Sequence, residues 1–120
     1  MTFPVEIVLK GRDYAVTDAL VVPGGDTPEW NDTLVHHMLV EILRAIGRAE
    51  DPAAAVDRPI ALQGFSWIVE PLNGQVVIAI EIPMGAAVAG PFDVDQVQLD
   101  SIVGRVIRAD RQRRSPDTIH

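Results

Sequence analysis

The sequence predicts an α+β domain: a two-layer ββαββα arrangement in which a four-stranded, mainly antiparallel sheet carries two helices on one face. Three observations lead there. Residues 3–10 and 75–82 alternate with period two, residues 28–49 and 93–109 place apolar side chains at helical spacing, and Asn73-Gly74 stands as a hairpin turn between two apolar runs.

The first strand sets Phe3, Val5, Ile7 and Leu9 against Pro4, Glu6, Val8 and Lys10. Lys10-Gly11-Arg12-Asp13 turns the chain, and Tyr14–Val22 returns as its partner, with Asp18 the one charge on the side of Val16, Leu20 and Val22. Pro23-Gly24-Gly25-Asp26 breaks that strand. Thr27 as N-cap, Pro28 as first helical residue and Glu29 in the first turn then open a helix that runs to about Ala49.

Along that helix, Leu34, Val35, Met38, Leu39, Ile42, Ala45, Ile46 and Ala49 fall in one broad stripe. His36, Val40, Leu43 and Gly47 form a smaller run beside it, and the main stripe leaves that flank uncovered. Val40 and Leu43 are therefore candidate interface residues. Residues 50–58 are a polar and Ala/Pro connector with no sign of a domain boundary.

The central hairpin pairs Ile60–Val69 with Gln75–Ile82. Val76, Ile78, Ile80 and Ile82 make one wholly branched aliphatic side of the second strand. In the first, Phe65, Trp67 and Val69 alternate with Ile60, Leu62, Gly64, Ser66 and Ile68. If Ile60, Leu62 and Ile68 face the helices, Phe65 and Trp67, with Tyr14 nearby, form an aromatic patch on the bare sheet face, which needs a partner to cover it. If a bulge at Gly64 inverts the strand, both aromatics belong to the core.

Met84–Gly90 reads as a small-residue loop, after which Asp93 caps the last helix with Gln96 three residues on. Leu99, Ile102, Val103, Val106, Ile107 and Ala109 are its buried stripe, and Ser115-Pro116 ends it. The domain is expected to span residues 1–114, with a loose tail over 115–120. Both halves read strand–strand–helix with Pro-x-Gly after the second strand, a pattern that ordinary turn chemistry explains, with internal duplication as the alternative.

Composition narrows the chemistry. A chain of 120 residues with 48% hydrophobic and 5% aromatic residues suits one aliphatic core, and the absence of cysteine excludes disulfides, thiolate metal sites and cysteine nucleophiles. The net charge of −7 is uneven: residues 1–104 hold five Lys/Arg against fifteen Asp/Glu, whereas residues 105–120 hold five Arg against two Asp. An acidic body repels phosphate backbones, so nucleic acid is not an expected partner. No apolar run approaches the roughly 18 residues of a membrane helix and no basic leader is readable, which leads to the expectation of a soluble, cytoplasmic protein.

His36 and His37, with Asp32 and Glu41, are the one chemistry-like cluster. Adjacent histidines point about 100° apart on a helix, so the pairs Asp32/His36 and His37/Glu41 lie on different faces and do not close on one metal ion. The stretches 23–27 and 85–90 precede helix starts but match no phosphate-binding fingerprint, and no metal or cofactor is expected. The five arginines from Arg105 to Arg114 suit a helix C-terminus, or docking onto an acidic partner.

Through FPVEIVLK, YAV and the PGGDTPEW that opens the helix, the first fifty residues resemble the strand–strand–helix start of small HicB-like antitoxins. The resemblance covers under half the chain, lacks that family's usual third strand before the helix, and carries over no functional residue.

These observations favour a non-enzymatic binding or assembly module, homo-oligomeric or bound to another protein through its open sheet face or the Val40/Leu43 flank. One alternative is a small ligand binder or enzyme with a pocket between the sheet and the Gly-rich loops, and Asp18, His36 or Glu81 as acid–base groups. Another is an antitoxin-like or immunity-like inhibitor of a basic partner.

Overall fold

The computed structural model describes residues 1–25, 28–52 and 60–114. It is an α+β fold with the element order β1 (Thr2–Leu9), β2 (Ala15–Val21), α1 (Asp32–Glu50), β3 (Ser66–Leu72), β4 (Gln75–Ile82), β5 (Gly85–Phe92) and α2 (Gln96–Arg114). The sheet has five strands, not four, and its order is β2-β1-β5-β4-β3 with every pair antiparallel. The ββαββα order therefore gives way to ββαβββα, and β5 interrupts the strand–strand–helix repeat.

The added strand is the small-residue stretch expected to be a loop. Glycine and alanine have low strand propensity, so GAAVAGPF gives little local signal. Its position explains it: β5 lies between β1 and β4 and forms a ladder with each, Val5 opposite Ala89 on one side and Ile80 opposite Ala87 on the other. Long-range pairing on both edges outweighs weak propensity. Gly85 is required by this close fit, because a Cβ there would stand 2.5 Å from the Val8 carbonyl oxygen.

The other elements form for the reasons legible in the chain. Asn73 and Gly74 both have positive φ, 51° and 84°, which a two-residue hairpin turn between β3 and β4 needs. Pro71 sits in edge strand β3, where its missing N–H costs least. Phe3, Val5, Ile7 and Leu9 are buried on β1, as are Leu34, Val35, Met38, Leu39, Ile42, Ala45 and Ile46 on α1. Burying a side chain of that size is worth about 1.5–3 kcal/mol, so these stripes hold the helix to the sheet far more strongly than helix propensity could. Leu99, Ile102, Val103, Val106 and Ile107 do the same for α2.

Both helix starts lie later than expected. Asn31 caps α1, its side-chain oxygen accepting the Leu34 N–H at 2.9 Å, and Pro28 and Glu29 precede the helix. Thr27 lies outside the described residues. On α2 the cap is Asp95, whose carboxylate accepts the Gln98 N–H at 3.0 Å, while Gln96 instead donates to the Val69 carbonyl at 3.1 Å. β5 occupies the chain through Phe92, which displaces the cap from Asp93. The expected tail, 115–120, lies outside the described residues, as does most of the connector.

Candidate functional site

Both helices cover one face of the sheet and leave the other bare. Because directly opposed residues in an antiparallel pair share a face, the ladder fixes which side chains the bare face carries. They are Thr2, Pro4, Glu6 and Val8 on β1, Ala86 and Val88 on β5, Gln75, Val77, Ala79 and Glu81 on β4, and Ser66, Ile68, Glu70 and Leu72 on β3. Ala15, Thr17, Ala19 and Val21 extend it across β2.

This face is apolar without being covered. Ile68 is 51% exposed and Val88 44%, and Val8, Leu72 and Val21 are exposed as well. Ser66, Ile68, Ala79, Glu81, Ala86 and Val88 line a shallow depression of about 320 Å³. Its floor is low because Ala79 and Ala86 are small, so another backbone can approach the sheet closely there. Val77, although on the bare side, is buried among its neighbours.

The aromatics are elsewhere. Trp67 pairs with Ile80 and Val69 with Ile78, which places Trp67 on the aliphatic, helix-covered side. Its ring reaches α2, where a Cβ at Gly104 would lie 3.9 Å from it. Phe65 likewise packs against the core. The expectation of an aromatic patch on the bare face is thus corrected: Ile68, not Trp67, points outward. The turn already held the signal. With Asn73-Gly74 as the two turn residues, Leu72 must oppose Gln75, so Trp67 opposes Ile80 and shares its face. Tyr14 is exposed just before β2, and Val40 and Leu43 are half-buried against the core.

The three acid–base candidates do not meet. Asp18 faces the helix layer from β2, where its Oδ2 accepts from Arg48 at 3.3 Å and its Oδ1 from the Ala19 N–H. Glu81 is on the bare face, opposite Ser66. His36 lies on α1 with Nε2 3.8 Å from Oδ1 of Asp110, a carboxylate only 2% exposed near the end of α2. Of the two Gly-rich loops expected to frame a pocket with the sheet, residues 85–90 are part of β5, while Pro23 and Gly24 line a concavity of about 240 Å³ with Asn31, Thr33 and His37 at the start of α1.

A second concavity, of about 280 Å³, lies between the helices and is lined by Asp32, His36, His37, Val106, Ala109 and Arg113. Three of its polar groups are engaged with side chains of α2: Asp32 with Arg105, and His36 and Arg113 with Asp110. The Arg105 guanidinium grips both Asp32 oxygens from the neighbouring helix and holds that carboxyl below the usual range. Asp110 accepts the Leu62 N–H at 2.9 Å and an Arg113 N–H at 3.2 Å. The His36 and His37 rings are 6.4 Å apart and nearly perpendicular, so they diverge as adjacent helical residues should.

No family model matches the chain, and no curated protein or solved structure matches it. No described helix is long and apolar enough to cross a membrane.

Proposed function

We propose that this chain is a non-enzymatic binding module whose working surface is the bare face of the sheet, and that a second protein chain covers it. The observation behind this reading is the continuous exposed set Val8, Val88, Ile68 and Leu72 over a floor of small residues. Exposed aliphatic side chains scattered singly are ordinary, but a patch drawn from β1, β5 and β3 around the small-residue floor of β4 and β5 is the kind of surface that protein interfaces bury. Among the described residues, the concavity between the helices is more polar than this face, and its Asp32 and Arg113 are already paired with Arg105 and Asp110.

Site-specific photo-crosslinking in the source cells tests this. A photoreactive residue replacing Ile68 should capture a protein partner, either another chain or a second copy. The same residue replacing Val97, exposed at the start of α2, should not. Equal capture from both positions, or none from position 68, would overturn the reading.

A further inference from the structure

The bare face has a second property besides its apolarity. Its charged side chains are Glu6, Glu70 and Glu81, and among the described residues of the five strands it carries no Lys or Arg. Lys10 follows β1 in the turn at one corner. The carboxylates are not random in position. Val8, Val88, Val77 and Leu72 step across β1, β5, β4 and β3 along one diagonal. Glu6 stands on one side of that diagonal; on the other, Glu70 adjoins Leu72 and Val77 directly, and Glu81 lies further out, beyond Ala79 and opposite Ser66.

We infer that the occupant of this face is a cationic amphipathic helix of a partner protein, laid along the Val8–Leu72 diagonal; the inference rests on the binding-module reading above. The dimensions fit. Three strand spacings across and about six residues along give a diagonal of about 25 Å, the length of a helix of roughly 16 residues. A helix is about 10 Å wide, so one flank falls over Glu6 and the other over Glu70 and towards Glu81. An apolar stripe with Lys or Arg on both sides then meets aliphatic and acidic groups together, and the cations leave Glu6, Glu70 and Glu81 partnered. The helix footprint of about 25 Å by 10 Å covers roughly 250 Å² of the face, so the contact is the small, transient kind made by a single docked element. A second copy meeting face to face would instead bring three further carboxylates and no cation into the same contact, which like-charge repulsion opposes.

The test is selection from a displayed library of 16-residue helical peptides with a fixed leucine stripe and flank positions varied among Lys, Glu and Gln. Peptides enriched against the protein should carry Lys on both flanks and bind the soluble protein in fluorescence anisotropy. Binding should be lost with Ile68→Asp/Val88→Asp, fall about tenfold or more with Glu6→Gln/Glu70→Gln/Glu81→Gln, and stay within about twofold with Asp100→Asn, an exposed carboxylate on α2. Circular dichroism checks that each variant is folded. Selected peptides with Gln or Glu flanks that still depend on Ile68 and Val88 would overturn the cationic assignment while leaving the face as the binding surface. Lysine-rich peptides that bind the double aspartate variant equally well would show diffuse attraction to an acidic body and overturn the assignment. A dimer that Ile68→Asp dissolves, with no peptide selected, would assign the face to a second copy. No selected peptide and no dimer would overturn the helix assignment, and crosslinking from position 68 then decides whether the face binds a protein at all.

Discussion

Asp110, buried near the end of α2, accepts the backbone N–H of Leu62 at 2.9 Å and so ties the chain entering β3 to the last helix. The same carboxylate receives Arg113 one turn on and faces His36 of α1 across 3.8 Å. One side chain therefore joins three parts of the helix layer. Removing it leaves a buried N–H without this acceptor, so Asp110→Ala should cost about 2–3 kcal/mol in urea unfolding. Asp110→Asn keeps an acceptor oxygen for Leu62 and should cost less.

The Arg105 pair makes stability at low pH depend on Asp32. Hydrogen bonds from the guanidinium, foremost among the causes, hold the folded carboxyl below its ordinary value. A carboxyl with a lower folded than unfolded pKa contributes stability above the unfolded value of about 4, and loses it as pH falls through the folded one. In Arg105→Gln, carbon-13 NMR titration should show Asp32 returning towards the ordinary carboxylate range. An unchanged midpoint would mean the pair does not form in solution.

Two glycines should respond in opposite senses. Gly47 lies in α1 with open space around its Cβ position, so Gly47→Ala should stabilise the fold by about 0.5–1 kcal/mol through helix propensity. Gly85→Ala places a methyl group against the Val8 carbonyl and should lower the thermal midpoint while weakening the β1–β5 ladder. Thermal unfolding monitored by circular dichroism reads both.

Neighbouring residues of β3 should separate folding from binding. Trp67 packs beneath α2, so Trp67→Ala should destabilise the domain by about 2–3 kcal/mol. Ile68 faces outward and Ile68→Asp should leave stability within about 1 kcal/mol while abolishing association through the bare face. Urea titration and anisotropy on the same samples distinguish the two effects.

How much of this was legible in the chain differs from element to element. The alternation Phe3, Val5, Ile7, Leu9 and the helical stripes of α1 and α2 predicted their buried faces, because one amphipathic element carries its own periodicity. The His36/His37 divergence followed from helix geometry alone. The face of Trp67 was also accessible, since the Asn73-Gly74 turn dictates the register, but reading β3 by its own alternation leaves two opposite assignments equally consistent. Ile68, Val88 and Val8 were missed as a surface because they come from three strands, two of them far apart in sequence.

By itself, then, the sequence determined the class of fold, the hairpin at Asn73-Gly74, the apolar stripes of both helices and the acidic character of the chain, all properties written in local spacing and composition. Tertiary structure alone decided that GAAVAGPF is a strand, that Asp95 rather than Asp93 caps α2, and that Glu6, Glu70 and Glu81 flank one uncovered apolar diagonal. The physical reason is common to all three. A central strand draws its stability from ladders with β1 and β4, partners that its own residues do not encode, and once it is in place it sets both where the next helix can begin and which side chains share the open face.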